Sequence, residues 1–266
     1  MDTVASIAPR SLHSRIGSAG APLVLDVRPP ARFAAEPRMI PGALQPEADV
    51  VAFAARHAAG RPIVLYGSHG QEASREAARA LARAGHDAVF LAGGLEAWIA
   101  EGRPTLRRRP EWRVPGGSRW ITRERPKIDR IACPWLVRRF IDPLARFDYV
   151  PAARVLEEAE RRRAIAFDLP GAPLAHRADR CSFDAVLEDF ALSDPALERL
   201  AAIVRGADTD RLDLAPQCAG LLAASLWLAQ RFADDHAMLE NAMPLYDALY
   251  AECRRDAERA AQGPAT

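Results

Sequence analysis

Short apolar runs alternate with helical patterns over the first hundred residues. The runs Leu23–Val27, Ile63–Tyr66 and Ala88–Leu91 are apolar almost throughout, which predicts strands that are buried on both faces of a parallel sheet. Between the last two runs, the alanine-rich stretch Ser74–Ala84 has a helical pattern that Gly85 ends. Strand, helix and strand at this spacing make a βαβ unit, so the chain is predicted to begin with an α/β domain.

A polar stretch bracketed by prolines, residues 105–116, separates this domain, predicted over residues 1–104, from a second one. The stretch is read as a linker whose arginines form either a solvated tether or a patch that touches an anionic partner. The second domain, residues 117–258, is predicted to be mainly α with a few strands, an α+β domain. Residues 259–266 are predicted to be a disordered tail.

The elements of the second domain follow from its apolar spacing and its prolines. Helices are predicted from about Pro134, because proline suits a first helical turn, and over five further stretches. These stretches are Val155–Arg163, Ser182–Phe190, Pro195–Val204, Pro216–Phe232 and Asp235–Arg255. Short strands are predicted over Trp120–Thr122 and Ile165–Phe167. We expect Pro244 to kink the last helix.

Composition narrows the class of protein. Of the 266 residues 49% are apolar, which excludes an intrinsically disordered chain. The formal net charge of +1 argues against a protein that binds nucleic acid through bulk electrostatics. The start does not resemble a signal peptide and no apolar run reaches the length of a membrane span. We therefore expect a cytoplasmic protein without a membrane partner, and the sequence leaves its oligomeric state open.

The cysteines and the lysine are unevenly placed. All four cysteines lie after residue 130, at Cys133, Cys181, Cys218 and Cys253, and none forms a C-x-x-C pair. In a reducing compartment we expect them to be free thiols. Of the 36 basic residues one is a lysine, Lys127, and the rest are arginines. Genome composition explains the general lack of lysine but not the position of this one, in the most distinctive motif of the chain.

Three spaced motifs, Asp26–Arg28, Ile40–Ala43 and Gly93–Trp98, resemble the rhodanese family over about residues 5–105. The resemblance implies a rhodanese-like fold, a five-stranded parallel sheet with helices on both sides, and sulfur transfer through a cysteine persulfide. Gly67 stands where the family has its cysteine, and this domain contains no cysteine. Because a persulfide requires a thiolate, we expect no sulfurtransferase activity.

The loop after the second strand motif is a candidate anion site. In the rhodanese family it wraps an anion with successive N–H groups at a helix N-terminus, a favourable place for negative charge. Its residues are Gly67, Ser68, His69, Gly70 and Gln71. Glu72 at the helix start would oppose a bound anion. Two interpretations stay open: a loop that holds a small oxyanion such as chromate, and a vestigial loop that serves as scaffold.

Three further motifs, Trp120–Leu136, Cys181–Asp184 with His176 before it, and Ile203–Asp210, resemble the C-terminal domain of the ChrB chromate resistance family. The resemblance covers about residues 117–255. It implies an association with bacterial chromate resistance operons, some of which are regulated by family members. Regulatory members carry a different N-terminal region, which weighs against a transcriptional role for this chain.

Polar residues in apolar surroundings mark candidate sites in this domain, because isolated buried charges are costly and so pair or bind a ligand. The set is Lys127, Asp129, Arg130, Cys133, His176, Cys181, Asp184, Asp208, Asp210, Asp235 and His236. Lys127 and Arg130 form either an anion site or, with Asp129, a salt-bridged structural hub.

A metal site is a second candidate, built from His176, Cys181 and His236 with Asp184 or Asp235 in support, since these are the usual ligands of transition metals. Cys181 would lie at a helix N-terminus, where we expect a lowered thiol pKa. Cys181 and Cys133 are the candidates for thiol chemistry. A structural role for the same residues stays open, because they show no recognised ligand spacing.

The remaining cysteines and the larger aromatic residues are interpreted as core. Cys218 and Cys253 fall on helix faces among leucines and a tyrosine. The aromatic residues assigned to the core are Trp135, Trp227, Tyr246 and Tyr250.

Three hypotheses about function remain. The first is a non-catalytic sensor or accessory protein in chromate or oxyanion stress. The second is a metal- or thiol-dependent detoxifying enzyme whose site lies in the C-terminal domain, with a transition metal as its candidate cofactor. The third is a transcriptional regulator of a chromate resistance operon, which the near-neutral charge disfavours.

Overall fold

The computed structural model describes residues 4–46, 49–70, 72–112 and 116–262. The chain divides into two compact units. The first comprises Met1–Arg108 with Arg139–Pro143, and the second comprises Arg109–Arg138 with Leu144–Thr266. Among the described residues, no helix has both the length and the apolar character that crossing a lipid bilayer requires.

The first unit alternates short strands and helices. Its strands are β1 (Ser6–Ile7), β2 (Leu23–Asp26), β3 (Arg38–Met39), β4 (Ile63–Tyr66), β5 (Ala88–Leu91) and β6 (Leu106–Arg107). Its helices are α1 (Pro9–His13), α2 (Pro30–Ala35), α3 (Val50–His57), α4 (Glu72–Arg83) and α5 (Gly94–Ala100).

A parallel sheet forms the centre of the first unit, with strand order β1, β5, β4, β2. Every residue of β2 and β4 is buried, which confirms the sheet predicted from the apolar runs. The fifth strand that the rhodanese resemblance implied is reduced to one bridged residue, Leu44 opposite Leu25. The remaining pair, β3 with β6, is antiparallel.

The stretch predicted as a linker is partly folded. Leu106 is buried in β6, opposite Met39, so the apolar residue of the stretch ties its start to the first unit. The guanidinium of Arg108 lies 4.1 Å from the centre of the Phe33 ring. Arg109 forms an ion pair of 2.7 Å with Glu111. These arginines therefore contact neighbouring side chains rather than forming a free tether.

The second unit has one small sheet and six α-helices among its described residues. The strands are β7 (Arg119–Arg123), β8 (Arg146–Val150) and β9 (Ile165–Ala166). The helices are α6 (Asp129–Leu136), α7 (Val155–Arg162), α8 (Ser182–Asp189), α9 (Pro195–Asp208), α10 (Cys218–Arg231) and α11 (Asp235–Gln262). Because α11 continues to Gln262, residues 259–262 of the predicted tail are helical.

All three strands of the second sheet are parallel, in the order β8, β7, β9. The chain runs from β7 through α6 to β8 on one side, and then through α7 to β9 on the other. Each βαβ crossover returns the chain to the same edge, so the carboxyl ends of β7 and β9 lie side by side with a change of winding direction between them.

The helix predicted to start near Pro134 begins instead at Asp129, so that Pro134 lies inside α6. A proline there leaves the carbonyl of Arg130, four residues earlier, without its helical donor. The hydroxyl of Tyr149 donates to this carbonyl at 3.4 Å, which compensates for the missing N–H. The helix then changes into a π-helical turn, Val137–Ile141. The early start matters because it makes Asp129 the first residue of the helix.

The core predictions are confirmed with one exception. Cys218 and Cys253 are buried, as are Trp135, Tyr246 and Tyr250. Trp227, which was assigned to the core, has 60% of its surface exposed. The reason is the helix face that α10 buries: Cys218, Leu221, Ser225 and Leu228 follow helical spacing, and Trp227 falls outside it.

Candidate functional site

Charged side chains gather at the carboxyl ends of β7 and β9. Arg123 is the last residue of β7, Asp168 lies two residues after β9, and Asp129 opens the helix that follows β7. The loop after β9 contributes His176, and Asp208 is the last residue of α9. Open α/β sheets hold ligands at this kind of edge, where the winding direction changes. We refer to Arg123, Asp129, Arg130, Asp168, His176 and Asp208 as the His176 cluster.

Three carboxylates converge on one nitrogen of His176. The Nε2 atom lies 3.3 Å from Asp129 Oδ2, 3.2 Å from Asp168 Oδ1 and 3.2 Å from Asp208 Oδ2. The side chains of Asp129 and Asp168 are 0% and 5% exposed, whereas that of His176 is 40% exposed. The cluster is therefore buried on its acidic side and opens to solvent through the imidazole.

Asp129 is fixed by the start of another helix. Its Oδ2 accepts a hydrogen bond from the Ser182 amide at 2.6 Å, and its Oδ1 accepts one from the Phe183 amide at 3.2 Å. These two amides belong to the first turn of α8, whose N–H groups have no partner within the helix. One carboxylate thus joins the first turns of α6 and α8 and faces His176.

The two arginines of the cluster hold Asp168. Arg130 Nε lies 3.0 Å from Asp168 Oδ2, and Arg123 Nη2 lies 3.4 Å from the same oxygen. Arg130 also donates through Nη1 to the carbonyls of Glu124 and Arg125, each at 3.1 Å. Arg130 therefore joins the carboxylate that follows β9 to the backbone that follows β7, and the choice between hub and anion site stays open.

Lys127, which was predicted to form an anion site with Arg130, lies outside the His176 cluster. Lys127 is exposed, and its carbonyl accepts a hydrogen bond from the backbone N–H of Arg130 at 2.9 Å. Its side chain is not among the groups that surround His176. The pairing of Lys127 with Arg130 as an anion site stays a prediction.

The crowding of like charges shifts the pKa values in the cluster. Hydrogen bonds to Asp129 and Asp168 raise the pKa of His176 to about 10. Burial, followed by the charges of Asp129 and Asp168, raises the pKa of Asp208 to about 7. Burial also raises the pKa of Asp129. At neutral pH the imidazole is therefore protonated, and its charge offsets part of the carboxylate repulsion.

The residue before Asp129 has an unusual backbone conformation. Ile128 adopts φ 32° and ψ −92°, outside the regions that a β-branched residue ordinarily occupies. The buried hydroxyl of Tyr246 donates to its carbonyl at 3.0 Å, and the amide of Ala132 donates to the same carbonyl at 2.7 Å. A strained backbone persists where surrounding contacts hold it in place. At Ile128 these contacts are the two hydrogen bonds to its carbonyl, and Asp129 is the next residue.

The predicted metal ligands lie in separate settings. Cys181 and Asp184 form a pair at the start of α8: the Cys181 amide donates to Asp184 Oδ2 at 3.1 Å and its thiol lies 3.4 Å from the same oxygen. Asp184 Oδ1 accepts a hydrogen bond of 2.6 Å from Arg205. Both residues are therefore engaged in capping α8 and in joining it to α9.

The other two predicted ligands lie at the start of α11. Asp235 Oδ2 accepts a hydrogen bond from the Arg125 amide at 3.1 Å, and the His236 ring packs edge-on against Tyr149 at 5.4 Å between centroids. Within the described ranges, the one group of histidine, cysteine and acidic side chains whose ligand atoms all lie within 4.8 Å of one another is formed by Asp129, His176 and Asp208. Of the five predicted metal ligands, only His176 belongs to it.

The thiols differ from the expectation of a lowered pKa. Burial, together with the charges of Asp129 and Asp184, raises the pKa of Cys181. Burial likewise raises the pKa of Cys133 well above its usual value. The helix N-terminus favours a thiolate at Cys181, but desolvation and the two carboxylates outweigh it. The expectation of a lowered pKa is therefore wrong for Cys181, and thiol chemistry at Cys181 or Cys133 stays a prediction.

We expect the native protein to resist thiol reagents. All four cysteines are buried, and burial raises the pKa of Cys181 and Cys133, the two candidates for thiol chemistry. Ellman's reagent should therefore react slowly with the folded protein and should titrate every thiol after denaturation in guanidinium chloride. A rapid reaction of one thiol that Cys181→Ser abolishes would contradict this expectation.

In the first unit, the loop after β4 is packed against the Gly93–Gly94 turn. The carbonyls of Gly67 and Ser68 accept hydrogen bonds from the first amides of α5, those of Leu95 at 2.9 Å and Glu96 at 3.0 Å. The Nδ1 atom of His69 lies 2.6 Å from Glu96 Oε2. A carboxylate thus occupies the place beside His69 that an anion would need. Gln71, also assigned to this loop, lies outside the described residues, and anion binding by the loop stays a prediction.

Two glycines of this loop should respond oppositely to substitution. A Cβ at Gly70 would lie 2.6 Å from the backbone nitrogen of Gly93, and Gly70 has φ +68°. A Cβ at Gly67 would meet nothing within 4 Å. We expect Gly70→Ala to lower the melting temperature of the first unit and Gly67→Cys to leave it near that of the wild type, as measured by differential scanning calorimetry. Equal melting temperatures for the two variants would contradict this packing.

Asp26, Arg28 and Tyr66 form a buried charged group at the ends of β2 and β4. Arg28 contacts both carboxylate oxygens of Asp26 through Nε, at 2.9 and 3.0 Å, and through Nη2 at 2.6 Å. The Tyr66 hydroxyl donates to Asp26 Oδ2 at 2.7 Å. Arg28 also donates to the carbonyls of Glu36 and Arg38, at 3.3 and 3.1 Å. The Asp26–Arg28 motif therefore joins the carboxyl ends of β2 and β4 to the backbone around β3.

Arg123 and Asp168 complete the His176 cluster but were not among the polar residues singled out from the sequence. Both lie at the carboxyl end of a strand in a parallel sheet, Arg123 closing β7 and Asp168 following β9. The signal that could have found them is this position, since polar residues directly after buried parallel strands meet at one edge.

Comparison with known proteins accounts for both units. Residues 120–253 match the family model for the ChrB C-terminal domain, which is half of the chain. The chain belongs to the ChrB C-terminal domain family. Residues 8–101 match the rhodanese-like domain, so the first unit carries that fold. Membership in the ChrB family relates the chain to chromate resistance.

One curated relative and several solved structures are similar to parts of the chain. Protein ChrB of Cupriavidus metallidurans is 35% identical over 135 residues, which are 50% of this chain and 40% of that protein. The chain thus spans less than half the length of this relative. The rhodanese-like domain of an Anabaena protein is 33% identical, covers 44% of this chain and 88% of its own, and has a TM-score of 0.34. A rhodanese-related protein of Thermoplasma volcanium is 25% identical over 38% of this chain and 96% of its own, with a TM-score of 0.33.

Proposed function

We propose that this chain acts in the cytoplasm as a sensor or accessory protein in resistance to chromate or related oxyanions, with the His176 cluster as its responsive site. Two findings support the proposal. The second unit is a ChrB C-terminal domain, and its charged residues meet at the sheet edge where α/β folds hold small ligands. The burial of Cys133 and Cys181, which raises the pKa of both thiols, favours binding over thiol-dependent chemistry.

The observation that supports oxyanion binding is a hydrogen-bond donor of Arg123 that has no acceptor. Its Nε is buried and, among the described residues, has no hydrogen-bond partner, while its Nη2 has only the 3.4 Å contact with Asp168. A buried donor without an acceptor costs about 1–3 kcal/mol. A tetrahedral oxyanion offers acceptor oxygens that match guanidinium geometry, and the protonated His176 adds a second positive charge on the same side.

Equilibrium dialysis against chromate, read out by chromium content, tests this function. We expect the wild type to retain chromate and Arg123→Met to bind it at least tenfold more weakly. Arg119→Met is the matched control, because Arg119 lies on the same strand with a similar exposed fraction and pairs with Asp148 at 3.2 Å. Absence of retention by the wild type, or equal loss in both variants, would contradict the proposal. Sulfate and phosphate as competitors report how selective the site is.

We also propose that the rhodanese-like domain serves as a binding or docking module without sulfurtransferase activity. The chain has no cysteine before Cys133, and Gly67 holds the position of the family's nucleophile. The wild type should therefore produce no thiocyanate from thiosulfate and cyanide. Turnover that persists in a Cys133→Ser, Cys181→Ser double variant would show a transfer route that this domain is not expected to have.

A further inference from the structure

The distances around His176 differ from those of an ordinary ion pair. The Nε2 atom carries at most one proton, yet three carboxylate oxygens lie 3.2–3.3 Å from it. A charge-assisted hydrogen bond between N–H and a carboxylate is about 2.7–2.9 Å long. None of the three contacts is that short. The nitrogen instead lies at nearly equal distances from all three oxygens, which are more acceptors than its one N–H can serve.

The same separations suit a bound metal ion. Imidazole and carboxylate ligands lie about 2.0–2.2 Å from a divalent transition metal, so neighbouring ligand atoms are about 3.0–3.5 Å apart in octahedral or tetrahedral geometry. We propose that Asp129, His176 and Asp208 bind a divalent first-row transition cation, each through one ligand atom. Their ligand atoms lie within 4.8 Å of one another. The site goes beyond the oxyanion function proposed above and shares His176 with it, since a metal ion would replace the proton on Nε2. Metal binding is therefore tested without oxyanion.

The surroundings orient the ligands. The amides of Ser182 and Phe183 hold the two oxygens of Asp129, and Arg130 and Arg123 hold Asp168 Oδ2 beside the site. Groups of this kind around the ligands fix their direction and raise metal affinity. With Asp168 engaged by the arginines, three protein ligands remain and leave positions open for water or an anion.

A second observation points to a ligand at this place. The Ser182 hydroxyl is fully buried and, among the residues described, has no hydrogen-bond partner, although the amide of the same residue donates to Asp129 Oδ2. The hydroxyl thus belongs to the residue whose amide contacts a ligand carboxylate. A metal-bound water would supply the partner that it lacks, since buried polar groups without one are rare.

The donor set indicates which ions fit. One imidazole and two carboxylates suit Mn²⁺, Fe²⁺, Co²⁺ and Zn²⁺, whereas Cu⁺ prefers the thiolate ligands that this site lacks. The nearest candidates for such ligands, Cys181 and Cys133, are buried thiols whose pKa is raised. The metal site therefore retains only His176 from the set predicted from sequence.

Isothermal titration of the chelator-treated full chain, without an affinity tag and without oxyanion, tests the site. We expect Zn²⁺ or Mn²⁺ to bind at one site per chain and Mg²⁺ at least tenfold more weakly. His176→Gln and Asp208→Asn should each weaken Zn²⁺ and Mn²⁺ binding at least tenfold. The matched controls are His236→Gln and Asp213→Asn, because His236 packs on Tyr149 and Asp213 pairs with the exposed Arg211. Both controls should bind as the wild type does.

The outcomes are distinguishable. No binding by the wild type, or binding that both cluster variants retain, overturns the site. A Co²⁺ absorption spectrum provides a second readout: nitrogen and oxygen ligation gives weak visible bands, and a strong thiolate charge-transfer band that disappears in Cys181→Ser would overturn the assignment in favour of a cysteine ligand. Circular dichroism shows whether each variant is folded, and Asp208, at the surface edge of the cluster, provides the variant least expected to unfold.

Discussion

Asp129→Ala should destabilise the second unit by about 2–6 kcal/mol, because two buried backbone donors lose their acceptor at about 1–3 kcal/mol each. The substitution leaves the amides of Ser182 and Phe183 without acceptors and takes one carboxylate from His176. It also cuts the direct link between the first turns of α6 and α8. Urea denaturation followed by tryptophan fluorescence measures the change, because four of the five tryptophans lie after residue 110.

The neighbouring carboxylate provides the contrast. Asp208 also contacts the His176 imidazole, but its side chain is 18% exposed. Burial and the charges of the other two carboxylates disfavour its ionised form. Asp208→Asn should therefore change the free energy of unfolding of the metal-free protein by less than about 1 kcal/mol. If the two variants lose equal stability, the amide contacts of Asp129 do not have the structural role assigned to them.

Arg28→Met should destabilise the first unit by about 3–5 kcal/mol. The side chains of Arg28 and Asp26 are 1% and 0% exposed, so methionine would leave a buried carboxylate with two neutral donors, the Tyr66 hydroxyl and the backbone N–H of residue 28. The carbonyls of Glu36 and Arg38 would lose their guanidinium donors as well. Hydrogen exchange of peptides that cover β2 and β4, read by mass spectrometry, should show faster exchange.

Arg38→Met is the matched control for this variant. Arg38 also pairs with an acidic residue two positions before it, Glu36, at 2.7 Å, but its side chain is 47% exposed. Surface ion pairs contribute about 0–1 kcal/mol, so exchange in the same peptides should stay close to that of the wild type. Equal protection in the Arg28 and Arg38 variants would mean that Asp26 is accommodated without its arginine.

The sequence predicts the elements well where apolar spacing alone determines them. The buried strands β2 and β4, the alanine-rich helix α4 and the helices α7 and α8 lie within a residue or two of their predicted bounds. The sequence-based prediction is wrong where tertiary contacts override a local preference. Pro134 indicates a helix start, yet α6 begins five residues earlier, and the Tyr149 hydroxyl donates to the carbonyl that the proline leaves without its helical N–H.

The candidate site follows the same division. His176 is found from its residue type, because a histidine among polar residues in an apolar region is conspicuous. Asp168 is not, because its partners come from β7 and α6 and no spacing along the chain relates them. The expectation of a lowered pKa at Cys181 is wrong for a related reason: the helix N-terminus is visible in the sequence, but the burial and the carboxylates that raise the thiol pKa are not.

The single lysine of the chain has a practical consequence. Lys127 is exposed and lies two residues before Asp129, while every other basic side chain is a guanidinium that amine-reactive reagents do not acylate. An activated ester should therefore place one side-chain label per molecule, at Lys127. The protein thus offers a site for a fluorophore or a surface linkage without mutagenesis. A fluorophore there would report on the environment of Lys127.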